Sequence, residues 1–124
     1  MPWRGEGISL GFSAVDGWLP SEASHASKAI DVQEKDAASF LNHTKALISL
    51  RQSEPALKLG EWETISGSEQ SLIFRRRLGN ESLVCGFNWG DDPIKADLSG
   101  ALLAGRCEAG FIGADSYAIV KERL

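Results

Sequence analysis

Gly7-Ile8-Ser9-Leu10-Gly11 matches G-x-S-x-G, the spacing of a hydrolase nucleophile turn, in which glycines let a serine project from a sharp bend. That chemistry needs an apolar strand before the serine and a helix after it. Here Pro2-Trp3-Arg4-Gly5-Glu6 precedes Ser9 and Phe12-Ser13-Ala14-Val15-Asp16 follows, so the stretch reads as a Gly-rich loop. The other reactive side chains are scattered. His25 lies in a polar linker, and His43 falls between the apolar positions of a helical pattern, where a surface or rim histidine is expected. Cys85 and Cys107 are far apart and lack nearby histidines, so no zinc pattern and no cofactor is implied. Asp91-Asp92-Pro93 offers oxygen ligands but reads as a strand-connecting turn. Arg76 should point away from Arg75 and Arg77 on an alternating strand, which breaks the one basic cluster. Trp3, Trp18, Trp62 and Trp89 could form a sugar-stacking platform. Core packing is the expectation for Trp62 and Trp89, while Trp3 is open to either role.

Composition bounds the rest. At 124 residues and 43% hydrophobic, the chain suits one domain with a real core. A net charge of −4 argues against nucleic acid and anionic membrane as partners. No apolar run is long enough to span a bilayer, and no signal peptide is visible. The cytoplasm is therefore the expected compartment, with both cysteines as free thiols in apolar or small-residue surroundings. In that compartment the glycosylation acceptors Asn42-His43-Thr44 and Asn80-Glu81-Ser82 have no consequence.

Three zones must position these residues. Residues 1–35 show no sustained period, yet carry Trp3, Phe12 and Trp18. Residues from about 36 to 53 place Phe40, Leu41, Thr44, Leu47, Ile48 and Arg51 at helical spacing, with Asp36 suited to the N-cap and Pro55 ending the run. From Gly60 onward short strands are expected at WETIS, SLIFRRR, SLVCGFNW, IKADL and SYAIVKERL, with turns at GSEQ, LGNE and GDDP. In SLVCGFNW, Leu83, Cys85, Phe87 and Trp89 alternate as one apolar face. The total of five to seven strands is that of an antiparallel β-sandwich, so the fold class is mainly β. A long unstructured segment bearing large aromatics, and a wide helical stripe with no second helix to cover it, are expected of a piece of a larger protein.

Taken in order, these segments resemble the C-terminal end of glycoside hydrolase family 13, the α-amylase family, in its α-glucosidase and oligo-1,6-glucosidase branch. The matching positions are Met1-Pro2-Trp3, Gly11-Phe12-Ser13, Trp18-Leu19-Pro20, Ala29-Ile30-Asp31-Val32, Leu47-Ile48-Ser49-Leu50-Arg51 and Pro55-Ala56-Leu57. In the sandwich they are Leu72-Ile73-Phe74-Arg75-Arg76 and Leu83-Val84-Cys85-Gly86-Phe87-Asn88. Pro2 stands where the family usually has glutamine, and Gly5 and Glu6 alter the loop after Trp3.

The resemblance implies that residues 1–57 come from a catalytic (β/α)₈ barrel, as a loop over 1–35 and the last barrel helix over about 36–53. Residues 58–124 would be the C-terminal antiparallel β-sandwich. The parent's substrates would be α-glucosides or maltooligosaccharides, cleaved with retention by two carboxylates on barrel strands upstream. This chain would then lack those carboxylates, have no catalytic residue or metal of its own, and be inactive alone. The resemblance also implies that Trp3 and Arg4 line the substrate entrance of the intact enzyme. The barrel is the partner expected for Phe40, Leu41, Leu47 and Ile48. Without it, that face should drive self-association, or residues 1–35 should be poorly ordered. Two further roles stand beside this one: an α-glucan-binding sandwich using exposed tryptophans, and a purely structural domain.

Overall fold

Among the described residues, the second half of the chain forms seven strands: β1 (Glu61–Gly67), β2 (Ser71–Leu78), β3 (Glu81–Asn88), β4 (Ile94–Lys95), β5 (Gly100–Gly105), β6 (Phe111–Ile112) and β7 (Ser116–Glu122). The structure is a computed structural model that describes residues 1–20 and 22–123. Five strands form an antiparallel sheet in the order β1-β2-β3-β7-β5, and β4 and β6 form a separate ribbon. The fold is mainly antiparallel β, as expected. LGNE is the expected turn: Leu78 pairs with Glu81, and Gly79 takes φ +56°, a left-handed conformation that glycine adopts without a Cβ penalty.

The core lies between sheet and ribbon. Ile73, Val84 and Ala118 from the sheet meet Ala96 and Ile112 from the ribbon side, with Ile94, Leu98 and Cys107 packed around them. Gly86 decides this fit, because a Cβ there would run into the Ile112 side chain. On the opposite face Leu83 is fully buried, and α3 (Pro55–Leu59) packs against β2 and β3 with Ala56 and Leu57 buried. β3 is thus buried on both faces from Leu83 to Gly86. The half-buried pattern expected there is corrected, because the ribbon and α3 each cover one side.

Arg75 and Arg76 do point apart. On the ribbon-side face Arg75 donates from Nε to Glu122 Oε2 at 2.9 Å, from Nη2 to Glu122 Oε1 at 3.0 Å, and from Nη1 to Glu63 at 3.0 Å. The buried Ser82 hydroxyl also donates to Glu122. On the other face the Arg76 guanidinium lies 5.9 Å from the Trp62 ring centroid. Trp62 stacks on Phe74 with centroids 3.7 Å apart, and the row continues through Phe87 to Tyr117.

Several expectations need correction. Trp62 is 51% exposed and Trp89 53% exposed, so neither is a core residue. Trp62 sits on an edge strand that is exposed throughout, and Trp89 follows the end of β3. Of IKADL only Ile94–Lys95 is strand, while GALLAG forms β5. The helical run does not begin at Asp36. A short helix α1 (Ile30–Lys35) ends there, and α2 (Phe40–Ser53) starts after Ser39, whose hydroxyl caps the Asn42 N–H at 3.2 Å. Asp36 instead bonds the Ala38 N–H at 2.9 Å. Glu54 leaves the helical region before Pro55, which opens α3.

The chain divides into two compact units, Met1–Ile48 and Ser49–Leu124. Within the first, only Ala29 and Ser39 are buried among the described residues, and hydrogen bonds rather than a core hold it. α2 buries no residue: Phe40 is 80% and Ile48 53% exposed.

Two outcomes follow from the second unit. Gly86→Ala should destabilise the fold by about 1–3 kcal/mol through overpacking, lowering the denaturant midpoint at unchanged slope. An unchanged midpoint would mean that Ile112 is not seated on β3. Glu122 is held below the ordinary glutamate range, chiefly by the Arg75 hydrogen bond, with Ser82 adding to it. Its stabilisation is present above the unfolded pKa of about 4.3 and is lost as pH falls through the lowered folded value. Glu122→Gln should therefore flatten the acid limb of the stability–pH curve; an acid limb identical to the parent's would contradict this.

Candidate functional site

Trp3 and Arg4 sit on a loop shaped by backbone geometry. Gly7 at φ +97° leads into Ser9, Leu10 and Gly11, all left-handed at φ 48°, 50° and 74°. That turn points the Leu10 carbonyl back, where it accepts the N–H of Trp3 at 2.9 Å and of Arg4 at 3.0 Å. The start of α1 holds the same segment from the other side. Ile30 N–H donates to Pro2 O and Asp31 N–H to Trp3 O, each at 3.2 Å, and Gly5 N–H donates to Asp31 Oδ1 at 2.8 Å.

Both functions of the Ser9 hydroxyl are engaged: it donates to Val15 O at 2.9 Å and accepts the Gly17 N–H at 3.1 Å. The serine of the G-x-S-x-G match is therefore a clamp that closes the loop from Ser9 to Gly17, as the loop reading requires. No strand precedes it and no histidine is bonded to it among the described residues.

Beside the clamp lies a cleft of about 590 Å³ whose walls include Pro2, Phe12, Asp16, Trp18 and His25. Arg4 lines a smaller cleft of about 400 Å³ with Glu6, Gly11 and Phe12, and its aliphatic stem covers Gly11, where a Cβ would lie 3.0 Å from it. Trp3 is 49% exposed and lines neither cleft. The two sequence-selected residues are adjacent on one anchored segment but do not share a pocket wall. Phe12 and Trp18 are more exposed, at 72% and 92%.

His43 is exposed, as expected. Cys85 and Cys107 are free; burial pushes the Cys85 thiol up to about 11, which leaves it protonated and unreactive near neutral pH. Among the described residues no group of three His, Cys, Asp or Glu could hold a metal ion. No helix among them is long and apolar enough to cross a membrane.

Sequence reading missed three organising side chains. Asp31 carried no local signal, because Gly5 lies 26 residues away. Asn42 Nδ2 donates to the carbonyls of Gln33, Glu34 and Asp36 at 3.0, 3.2 and 2.8 Å, closing the C-terminus of α1. Asn88 is buried and donates to Asp92 O, Ile112 O and Gly113 O. Asn88 carried none either, because the alternating face from Leu83 to Trp89 puts it on the side expected to face outward.

No protein-family profile matches the chain. Over 88 residues it is 40% identical to the probable alpha-glucosidase of Rhizobium meliloti (strain 1021), covering 71% of this chain and 16% of that protein. The solved alpha-glucosyl transfer enzyme XgtA superposes on 99% of the chain at TM-score 0.80 and 29% identity, over 25% of its own length. The isomaltulose synthase PalI of Klebsiella sp. LX3 shares the fold at TM-score 0.84 and 19% identity, over 98% of this chain and 24% of its own. A loop and helix followed in the chain by a mainly antiparallel β unit is the fold these solved proteins share over this stretch. The chain belongs to glycoside hydrolase family 13, the alpha-amylase family. It spans about a sixth of the curated relative and a quarter of the solved ones.

Ser9→Ala should open the loop at a cost of about 1 kcal/mol. Limited proteolysis should then cut between Phe12 and Trp18 faster than in the parent, with the sheet unaffected. Equal cleavage rates would show that Ser9 does not hold the loop.

Proposed function

We propose that this chain acts as the C-terminal part of an α-glucosidase-type retaining glycoside hydrolase acting on α-glucosides or maltooligosaccharides. Its role there is to support a catalytic barrel. The observation that carries this reading is the exposed apolar stripe of α2, Phe40 and Ile48 above all, in a chain 40% identical over 88 residues to a probable alpha-glucosidase. Those side chains have no cover within their own compact unit, and a barrel wall of apolar side chains supplies it. The two carboxylates that retention requires, about 5–5.5 Å apart, would come from that barrel. On this reading Trp3 and Arg4 stand at the substrate entrance, on the loop that Leu10 and Asp31 anchor. The free thiols agree with a cytoplasmic location.

The alternative, an α-glucan platform on exposed tryptophans, has less support. The Trp62 ring already stacks on Phe74 at 3.7 Å, with the Arg76 guanidinium near it, so its faces are poorly available to a sugar.

The test is a graft. Residues 1–124 should be inert toward a nitrophenyl α-glucoside alone, yet support hydrolysis when exchanged for the matching segment of the Rhizobium meliloti relative. Ile48→Asp in that graft should abolish activity by removing the stable enzyme. Turnover by the chain alone, or an Ile48→Asp graft as active and stable as the unmutated one, would overturn the reading.

A further inference from the structure

The second unit carries a cleft of about 650 Å³ at the end of the sandwich where the loops around β4 and β6 meet. Its floor is Phe111, 45% exposed, on the face of the ribbon opposite the buried Ile112. Its rim carries Arg106 and Glu108, both exposed. Neither side chain is bonded or ion-paired among the described residues, although other charged groups of this unit, including Arg75, Glu122, Lys121 and Glu54, are.

The walls are fixed in advance. Asn88 Nδ2 ties together Asp92 O at 2.9 Å, Ile112 O at 3.2 Å and Gly113 O at 2.8 Å, while its Oδ1 accepts the Gly90 N–H at 3.0 Å. Opposite, Glu108 and Phe111 exchange backbone hydrogen bonds at 3.0 and 2.9 Å around Ala109 and Gly110. Both turn residues are left-handed, at φ 49° and 79°, and the strained alanine sets Glu108 beside the ring.

The chemistry narrows the ligand. Arg106 only donates hydrogen bonds and Glu108 only accepts them, so one small ligand serving both must carry groups that do each. The opposite charges cancel, which gives no preference for an ion. A half-exposed ring requires an apolar face. We propose that this cleft binds a neutral saccharide, its hydroxyls shared between Arg106 and Glu108 and its C–H face on Phe111. The ligand class rests on the carbohydrate-enzyme reading above; the location rests on the cleft alone.

The experiment is a titration of the isotope-labelled 124-residue chain with maltotriose, with sorbitol as a non-saccharide polyol. Maltotriose should shift the amides of Phe111, Gly113 and Ala114, and sorbitol should not. Arg106→Ala and Glu108→Gln, both surface changes that keep the fold, should each weaken binding roughly fivefold to tenfold. Trp89→Ala should leave it unchanged. No shifts, equal shifts with sorbitol, or shifts centred on Trp62 and Trp89 would overturn the proposal. A silent cleft in a chain whose graft is active would remove this site and leave the family role intact.

Discussion

The sandwich depends on one close approach, that of Ile112 to the bare backbone of Gly86. A two-residue ribbon has too few ladder bonds to hold itself in place, so β4 and β6 persist only because Ile112 fills the space where β3 has no side chain. That contact closes the core over Ile73, Val84 and Ala118. It also brings the Ile112 and Gly113 carbonyls within reach of Asn88, whose buried amide would otherwise be costly. Packing thus sets the position, and the polar network then fixes the loops at that end of the sandwich.

The first unit works differently. Its ordering comes from backbone geometry and side-chain amides: the left-handed turn at Ser9 to Gly11, the Asp31 anchor, and Asn42 closing α1. Such bonds contribute about 1 kcal/mol each and replace bonds to water. Large apolar side chains are left outside, Trp18 and Phe40 most of all. On the proposed reading, the hydrophobic stripe of α2, which buries nothing, is where the barrel would pack. That reading fits membership of a family whose relatives are about four times as long as this chain.

Much of this was legible from residue order. Short apolar runs in SLIFRRR and SYAIVKE, and Gly79 between SLIFRRR and ESLVCGFN, mark the central strands and the β2–β3 hairpin without reference to anything distant. The series from Met1-Pro2-Trp3 to Pro55-Ala56-Leu57 carried the family. What could not be read was what depends on separation in sequence. β4 and β6 are too short to show a period, and Asn88, Asp31 and Asn42 act on carbonyls or amides brought near only by folding. The helix boundary moved because Ser39, one residue before Phe40, offers its hydroxyl to the third helical N–H, while Asp36 closes a local turn instead. Trp62 and Trp89 misled because large aromatics usually bury, and these two lie on an edge strand and beyond a strand end.

On the proposed reading, the sheet is self-supporting and the loop-helix unit is not. Native-state hydrogen exchange of the 124-residue chain tests it most directly. The amides of Val84, Gly86 and Ile119 should exchange only by global unfolding, while those of Thr44 and Leu47 in α2 exchange by local opening at far lower free energy. Protection of α2 equal to that of β3 would contradict the claim, because the helix would then need no partner beyond this chain.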